Sequence, residues 1–436
     1  MKMRTLIRNL KSMVNQKVEV NGWLHSIRPL KNIAFLVIRD YSGLVQVTVV
    51  KKERPDLFNI ISGLCKESAL KILGTLNHNS EVKMGGFEII PDAIEIINSA
   101  EPELPIDENS DQSSRMDWRY LDLRSPKNFL IFKIQTAVEQ AMREFWIKND
   151  FIEIHSPKLM GTPSESGAEL FEVSYFKNKA YLAQSPQFYK QMAMAAGFDK
   201  VFEIGPVFRA NPSFTSRHDT EFTSVDVEAS WIESHYDVMK LEEEWLQYIL
   251  SRISREYGEE IEKTFGVKVV IPVLPFPKIK MNEAYDILKK MEHIIPSEYA
   301  GDLDPEGEKL LCEYVQKEYG HEFVFITDYP IHVRPFYHMR QEENPNITKS
   351  FDLLWKGLEV TTGAQREHRY ENLKMQAVEK GISTESISYY LDFFKFGMPT
   401  HGGFGFGLTR MLMIMLGLKN VREVTYVYRG PKRLTP

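Results

Sequence analysis

Two cysteines in 436 residues, Cys65 and Cys312, are too few for a disulfide framework or a cysteine-ligated zinc site. No apolar run reaches the roughly 18 residues a membrane span requires. No signal peptide opens the chain, so a soluble cytoplasmic protein with no membrane partner is expected. A basic excess is also missing: 54 Lys and Arg face 60 Asp and Glu, a net charge of −6. Any nucleic-acid contact must therefore rest on local basic patches. What is present is 43% hydrophobic content, ample for the two or three cores that this length suggests.

Residues 16 to 99 read as short strands, Val18–Leu24, Ala34–Arg39, Leu44–Val49, Ala69–Leu76 and Phe87–Ile97, with turns at Arg28–Asn32 and Tyr41–Gly43. That pattern fits a small β-barrel of the oligonucleotide-binding (OB) kind. Pro102, Pro105, the polar run Asp107–Ser114 and Pro126 read as a linker, giving an N-terminal domain over 1–100, a hinge over 101–128 and a second domain over 129–436. In the second domain Phe129–Lys148 has helical periodicity, with Phe129, Phe132, Ala137, Ala141 and Phe145 near one side. Residues 233–330 alternate helical and loop-like stretches and read as a helical insertion without chemistry of its own.

The chain turns on Glu203–Glu228. Two strands flank a polar loop holding Arg209, Arg217 and His218. Val225, Val227, Ala229 and Trp231 fall on the core face of the second strand, and Phe222, Ser224, Asp226 and Glu228 on the other. Guanidinium forks suit the oxygens of a polyphosphate. Near the C-terminus Gly403, Gly405 and Gly407 recur every second residue, which is not the G-x-G-x-x-G of a dinucleotide fold. On a strand they clear one face for a flat ligand. Arg410 follows in the first turn of a helix, where a cation opposes the helix dipole and needs an anion or a ring beside it.

Phe208-Arg209 through Arg217-His218 with Glu221-Phe222 resembles motif 2 of class II aminoacyl-tRNA synthetases. Gly403–Arg410 resembles motif 3, and Asn149–Pro157 resembles motif 1. The likeness spans almost the whole chain and is nearest to the archaeal-type aspartyl enzymes of class IIb, down to the ending Arg433-Leu434-Thr435-Pro436. It implies an α+β architecture: an OB-fold anticodon-binding barrel, then a catalytic domain whose antiparallel sheet is flanked by helices. It also implies a homodimer, built on motif 1, that joins L-aspartate to tRNA with ATP and Mg²⁺.

The same resemblance assigns roles. Arg209 would hold the α-phosphate and also touch the aspartate. Arg217 and His218 would hold the outer phosphates, Phe222 and Arg410 would sandwich the adenine, and Asn211, Glu359 and Gly407 would complete the ATP site. Asp352, Glu359 and Thr362 would carry Mg²⁺. Glu165, on a lid loop, would receive the substrate ammonium. Gln187, Lys190, Thr362 and Arg366 would hold the aspartate, Lys190 and Arg366 as two cations facing a negative side chain that asparagine would leave uncompensated. Phe35 and Gln46 match the positions that contact the anticodon.

Four departures stand out: Asn211 replaces the glutamate of motif 2, Thr409 the acid before the motif 3 arginine, Thr362 a serine, and Val427-Tyr428-Arg429 a closing Phe-Pro-Arg. The first two remove carboxylates around ATP and leave Arg410 less restrained. Two alternatives stay open: an asparagine–tRNA ligase, which Lys190 opposes, and a synthetase-like paralogue that passes an aminoacyl-adenylate to another acceptor. Whether tRNA for asparagine is also charged is not settled by these residues.

Overall fold

Strand alternation in the first hundred residues closes into a barrel. In the computed structural model, which describes residues 4–162, 169–212 and 215–436, β1 (Lys17–Pro29), β2 (Ile33–Asp40), β3 (Gly43–Val50), β4 (Ala69–His78) and β5 (Phe87–Asn98) run in the order β1-β2-β3-β5-β4. Every second side chain points inward, so Val18, Val20, Leu36, Ile38, Val45, Val47 and Ile72 form the barrel core. β1 continues through Arg28 and Pro29, so the expected turn there is shorter. A helix not anticipated from sequence, Pro55–Ile61, packs Leu57 and Ile61 onto this core.

The chain divides into two compact units after Trp118. The expected hinge is thus only partly a linker. Gln112–Asp117 is a short helix whose N-cap Asp111 accepts from the Ser113 and Ser114 amides. The second unit begins ten residues earlier than expected from sequence because Arg119 is buried there, donating to the carbonyls of Glu423 (3.1 Å), Thr425 (2.8 Å) and Tyr426 (3.1 Å).

The second unit is built on an eight-stranded sheet. Its strands are β6 (Ile152–Glu153), β10 (Lys200–Phe208), β11 (Glu221–Ser230), β12 (Lys278–Lys280), β13 (Phe323–Thr327), β14 (Ser350–Trp355), β15 (Leu358–Gln365) and β16 (His401–Gly407). They lie in the order β12-β13-β14-β15-β16-β11-β10-β6. β7 (Leu159–Met160), β8 (Glu172–Tyr175) and β9 (Asn178–Leu182) make a separate small sheet. The run from β13 to β10 is antiparallel, as expected, and a parallel strand closes each edge.

Helices Pro126–Lys148 and His235–Phe265 pack on one face of this sheet. Trp146 and Trp245 stack at 5.0 Å, with Phe404 of β16 against both. The second helix buries Val238, Trp245 and Ile249 and belongs to the main core rather than to an insertion. Residues 278–280 and 323–327 are likewise strands of the main sheet. Val225, Val227 and Ala229 are buried as the alternation of β11 requires, but Trp231 lies past the strand end with φ 61° and is 71% exposed.

Glu242 of the long helix is enclosed under β15, where Thr361 Oγ1 donates to its Oε1 at 2.5 Å. Burial pushes its pKa up to about 8, with Glu243 and Asp352 adding to the effect. The folded chain thus holds a proton that the unfolded chain releases near pH 4.5. Stability from this group is complete below that value and is lost as pH rises towards 8, by up to about 1.4 kcal/mol per pH unit. Urea unfolding at pH 5 and pH 8 should therefore show a smaller alkaline loss for Glu242→Gln than for the natural chain. An identical pH dependence in the two would locate the titration elsewhere.

Candidate active site

The two glycine- and arginine-rich stretches are adjacent strands. β11 pairs with β10 in the register Phe208↔Glu221 and with β16 in the register Ser224↔Gly407, while Thr361 of β15 pairs with Phe406. A cavity of about 330 Å³ opens over these strands. Arg209, Asn211, Arg217, His218 and Phe222 line it from the hairpin, Glu359 and Thr362 from β15, and Gly407 and Arg410 from the end of β16 and the helix Leu408–Met415. Gln187 and Lys190 enter from the helix Gln187–Ala195, and Arg366 from just beyond β15. Glu165 lies outside the described residues. Asp352, Phe35 and Gln46 do not line the cavity.

At the arginine-rich part, the Arg209 guanidinium sits 5.4 Å over the Phe222 ring and has no ion-pair partner among the described residues. Arg217 does have one: its Nη1 lies 3.0 Å from Glu308 Oε2, on the helix Pro305–Tyr319. The stretch read as free of chemistry therefore supplies a carboxyl partner to motif 2. Only the fold brings Glu308 to Arg217, 91 residues earlier. Burial pushes Glu308 up to about 8, with Glu359 adding to the shift. His218 Nδ1 lies 2.5 Å from Thr215 Oγ1. Burial, and then Arg410, Arg217 and Arg209, hold its pKa down, so it meets a ligand as a neutral imidazole. Arg410 Nη1 donates to the Glu359 carbonyl at 2.7 Å and lies 3.6 Å from its carboxylate. Glu359 thus supplies the anion expected beside Arg410, and Thr409 does not leave that arginine loose. Asp219, not singled out from sequence, also faces the cavity, and burial raises it to about 7.

The part that would take an amino-acid side chain is more nearly neutral than the sequence implied. Lys190 Nζ lies 3.0 Å from Asp226 Oδ1 and 3.4 Å from Glu228 Oε2, and also donates to the Phe404 (3.1 Å) and Val227 (3.3 Å) carbonyls. Arg366 Nε meets Glu228 Oε1 at 3.0 Å, and its Nη2 donates to the Gly403 carbonyl at 2.9 Å. Two buried carboxylates therefore balance the two cations, and the argument from an uncompensated pair does not hold. The face opposite Gly403 is likewise not free for a ligand: a Cβ there would overlap the Val227 carbonyl and the Glu228 carboxylate. Only Gly405 and Gly407 of the three glycines border the cavity.

The metal set is also smaller than expected. Asp352 is buried and bound to Arg334 Nη2 at 2.5 Å, with Tyr329 packed on that arginine. Glu359 and Thr362 remain, with Thr362 Oγ1 3.3 Å from Glu359 Oε1. Among the described residues no cluster of three or more His, Cys, Asp or Glu could cage an ion. One carboxylate and one hydroxyl fit a Mg²⁺ that arrives on phosphate oxygens, which needs only one or two protein carboxylates. On the barrel, Phe35 is half-buried on the outer face with Arg28 5.7 Å over its ring. Gln46 Nε2 donates to Glu88 Oε2 at 3.1 Å and to Thr48 Oγ1 at 3.2 Å.

A barrel with a half-buried aromatic on its outer face, and a sheet cavity rimmed by motif 2 and motif 3 arginines, define a class II synthetase. Residues 111–428 match the family model for class II tRNA synthetases (D, K and N), and residues 18–97 match that for the OB-fold nucleic acid binding domain. The chain belongs to this family. It is 44% identical over 426 residues to the aspartate–tRNA(Asp) ligase of Pyrococcus abyssi, covering 97% of this chain and 96% of that one. It is also 44% identical over 428 residues to the aspartate–tRNA(Asp/Asn) ligase of Methanopyrus kandleri, with the same coverage. Among solved structures, asparaginyl-tRNA synthetase from Pyrococcus horikoshii with asparaginyl-adenylate superposes with a TM-score of 0.92 at 31% identity, covering 100% of both chains.

Arg217 cannot grip a phosphate fully while an ionised Glu308 holds it. Because burial holds the Glu308 proton up to about pH 8, Glu308→Gln should bind ATP about threefold to tenfold more tightly than the natural chain in titration calorimetry at about pH 9, where the carboxylate is ionised, and about equally at about pH 6.5. Weaker binding in the variant would mean that Glu308 instead holds Arg217 in its working orientation.

Proposed function

We propose that the protein is an aspartate–tRNA ligase, which activates L-aspartate with ATP to aspartyl-adenylate and transfers the aspartyl group to the 3′ end of tRNA. The observation that carries the reading is the content of one cavity: Lys190 and Arg366 in one part, Arg209, Arg217 and Arg410 in another. The arginines are placed for a triphosphate and the first pair for an amino acid bearing an acceptor side chain. Full-length likeness to aspartate–tRNA ligases at 44% identity supports it. The asparaginyl enzyme shares the fold, so the choice between the two amino acids rests on Lys190 and its surroundings.

In this reading the aspartate α-carboxylate attacks the α-phosphorus in line, pyrophosphate leaves, and a terminal tRNA hydroxyl then takes the acyl group from the adenylate. No protein nucleophile is required, because positioning and charge stabilisation suffice. Arg209, without an ion-pair partner among the described residues, faces the α-phosphate. Arg217 carries charge to the outer phosphates, with neutral His218 beside it as a hydrogen-bonding group. Phe222 and Arg410 enclose the adenine. Glu359 and Thr362 would hold Mg²⁺, which when bound neutralises phosphate charge. Glu165 would receive the ammonium group, and Gln187 Nε2, buried and without a hydrogen-bond partner among the described residues, suits a ligand oxygen. Phe35 would stack an anticodon base and Gln46 would read an edge.

A homodimer is part of the proposal. Around the two-residue edge strand β6, Ile152 is 48% exposed, and Ile147, Phe198 and Trp231 are exposed as well. A second copy would cover them. The compartment would be that of translation, the cytoplasm.

ATP–pyrophosphate exchange should depend on L-aspartate and not on L-asparagine, and the product should esterify tRNA. Lys190→Met should lower aspartate-dependent exchange by about a hundredfold or more, since Asp226 and Glu228 would share one buried counter-charge. Exchange with asparagine alone would overturn the assignment. Charging of tRNA for asparagine as well as tRNA for aspartate would define its range.

A further inference from the structure

Because Lys190 and Arg366 are matched by Asp226 and Glu228, net charge alone does not tell a carboxylate from a carboxamide beside them. The distinction must come from groups that can only donate. Lys190 already faces four acceptors within 3.4 Å. Gln187 also borders the cavity, but its amide can turn end for end and accept as readily as donate.

His338 cannot turn in this way. It lies on the same cavity wall, is 2% exposed, and forms a bridge to Arg366 through the backbone. Its Nε2 is 3.0 Å from Arg366 Nη1. A guanidinium is donor-only, so Nε2 must accept and the ring proton must sit on Nδ1. That Nδ1 is buried and has no hydrogen-bond partner among the described residues. A buried donor without a partner is costly, and a ligand acceptor placed there removes the cost.

We infer that His338 is a specificity-determining residue, whose Nδ1–H donates only to an oxygen of the substrate side chain and so rejects a carboxamide nitrogen. The inference rests on the placement of that side chain beside Lys190 and Arg366 proposed above. Arg366 fixes the tautomer, and the tautomer gives the site its sign. The residue was not among those singled out from sequence, since nothing in Phe336-Tyr337-His338-Met339 marks it.

Two substitutions separate this role from simple support of Arg366. In His338→Gln the amide reaches the place of Nε2 and can still accept from Arg366, but the donor at Nδ1 is gone. In His338→Asn the amide sits near Nδ1 and can donate, but the acceptor for Arg366 is lost. The preference for aspartate over asparagine, as the ratio of kcat/KM in ATP–pyrophosphate exchange, should fall about tenfold or more in His338→Gln. The KM for aspartate should rise with it while that for ATP stays unchanged, and His338→Asn should recover part of the preference. An unchanged ratio in His338→Gln together with a collapse in His338→Asn would overturn the inference and leave His338 as a prop for Arg366. A crystal structure of the natural chain with L-aspartate gives a reading independent of how the variants fold. A side-chain carboxylate oxygen within hydrogen-bond distance of Nδ1 supports the inference, and a water or a backbone carbonyl there overturns it. Absence of aspartate-dependent exchange in the natural chain would overturn the functional reading, and this inference with it.

Discussion

Four charges buried between a helix and two strands constrain the second unit more than any other contact. Lys190, Asp226, Glu228 and Arg366 are each at most 5% exposed. Removing such groups from water costs several kcal/mol each, and only close mutual pairing with full hydrogen bonding offsets it. The carbonyls of Val227, Gly403 and Phe404 complete that pairing. This fixes the approach of β11 to β16, and Gly403 has to be a glycine because Glu228 and the Val227 carbonyl occupy the space of a Cβ. The quartet is thus a condition for the sheet, and Lys190, Asp226 and Arg366 of it also line the cavity.

Burial acts differently where groups lack such partners. Glu308, Asp219 and His218 surround the arginine-rich part of the cavity, and in each case loss of water is the leading cause of the pKa shift, towards the neutral form. Positive charge near the expected triphosphate is then concentrated on Arg209, Arg217 and Arg410. A site of this kind presents few competing anions of its own when an anionic ligand arrives.

Much of the architecture was legible in the sequence because it rests on local pattern. The alternation in Val45–Val49 and Val225–Ala229 is the alternation of a half-buried strand, and the structure places those residues accordingly. The motif arginines converge on one cavity as their family spacing implied. What pattern could not give was pairing across long separations. Glu308 meets Arg217 from a helix that, read alone, is an ordinary amphipathic one. Asp352 looks like a metal ligand until Arg334 is seen against it, and Trp231 continues a periodicity that the strand has already left. His338 acquires meaning only through the nitrogen that Arg366 occupies. The first, second and last of these are facts of tertiary contact that no local periodicity shows, and Trp231 depends on where strand pairing ends.

Residues 278–327 begin and end as strands of the main sheet and carry between them the helix that holds Glu308. They cannot be exchanged as a module. A shortened version of this segment would uncover an edge lined by Phe323 and Phe325 and would also release Arg217 from its partner. Drift in the length of this region is therefore coupled to the chemistry of motif 2. A relative that lacks it must close the sheet by some other element and restrain the corresponding arginine from a different direction.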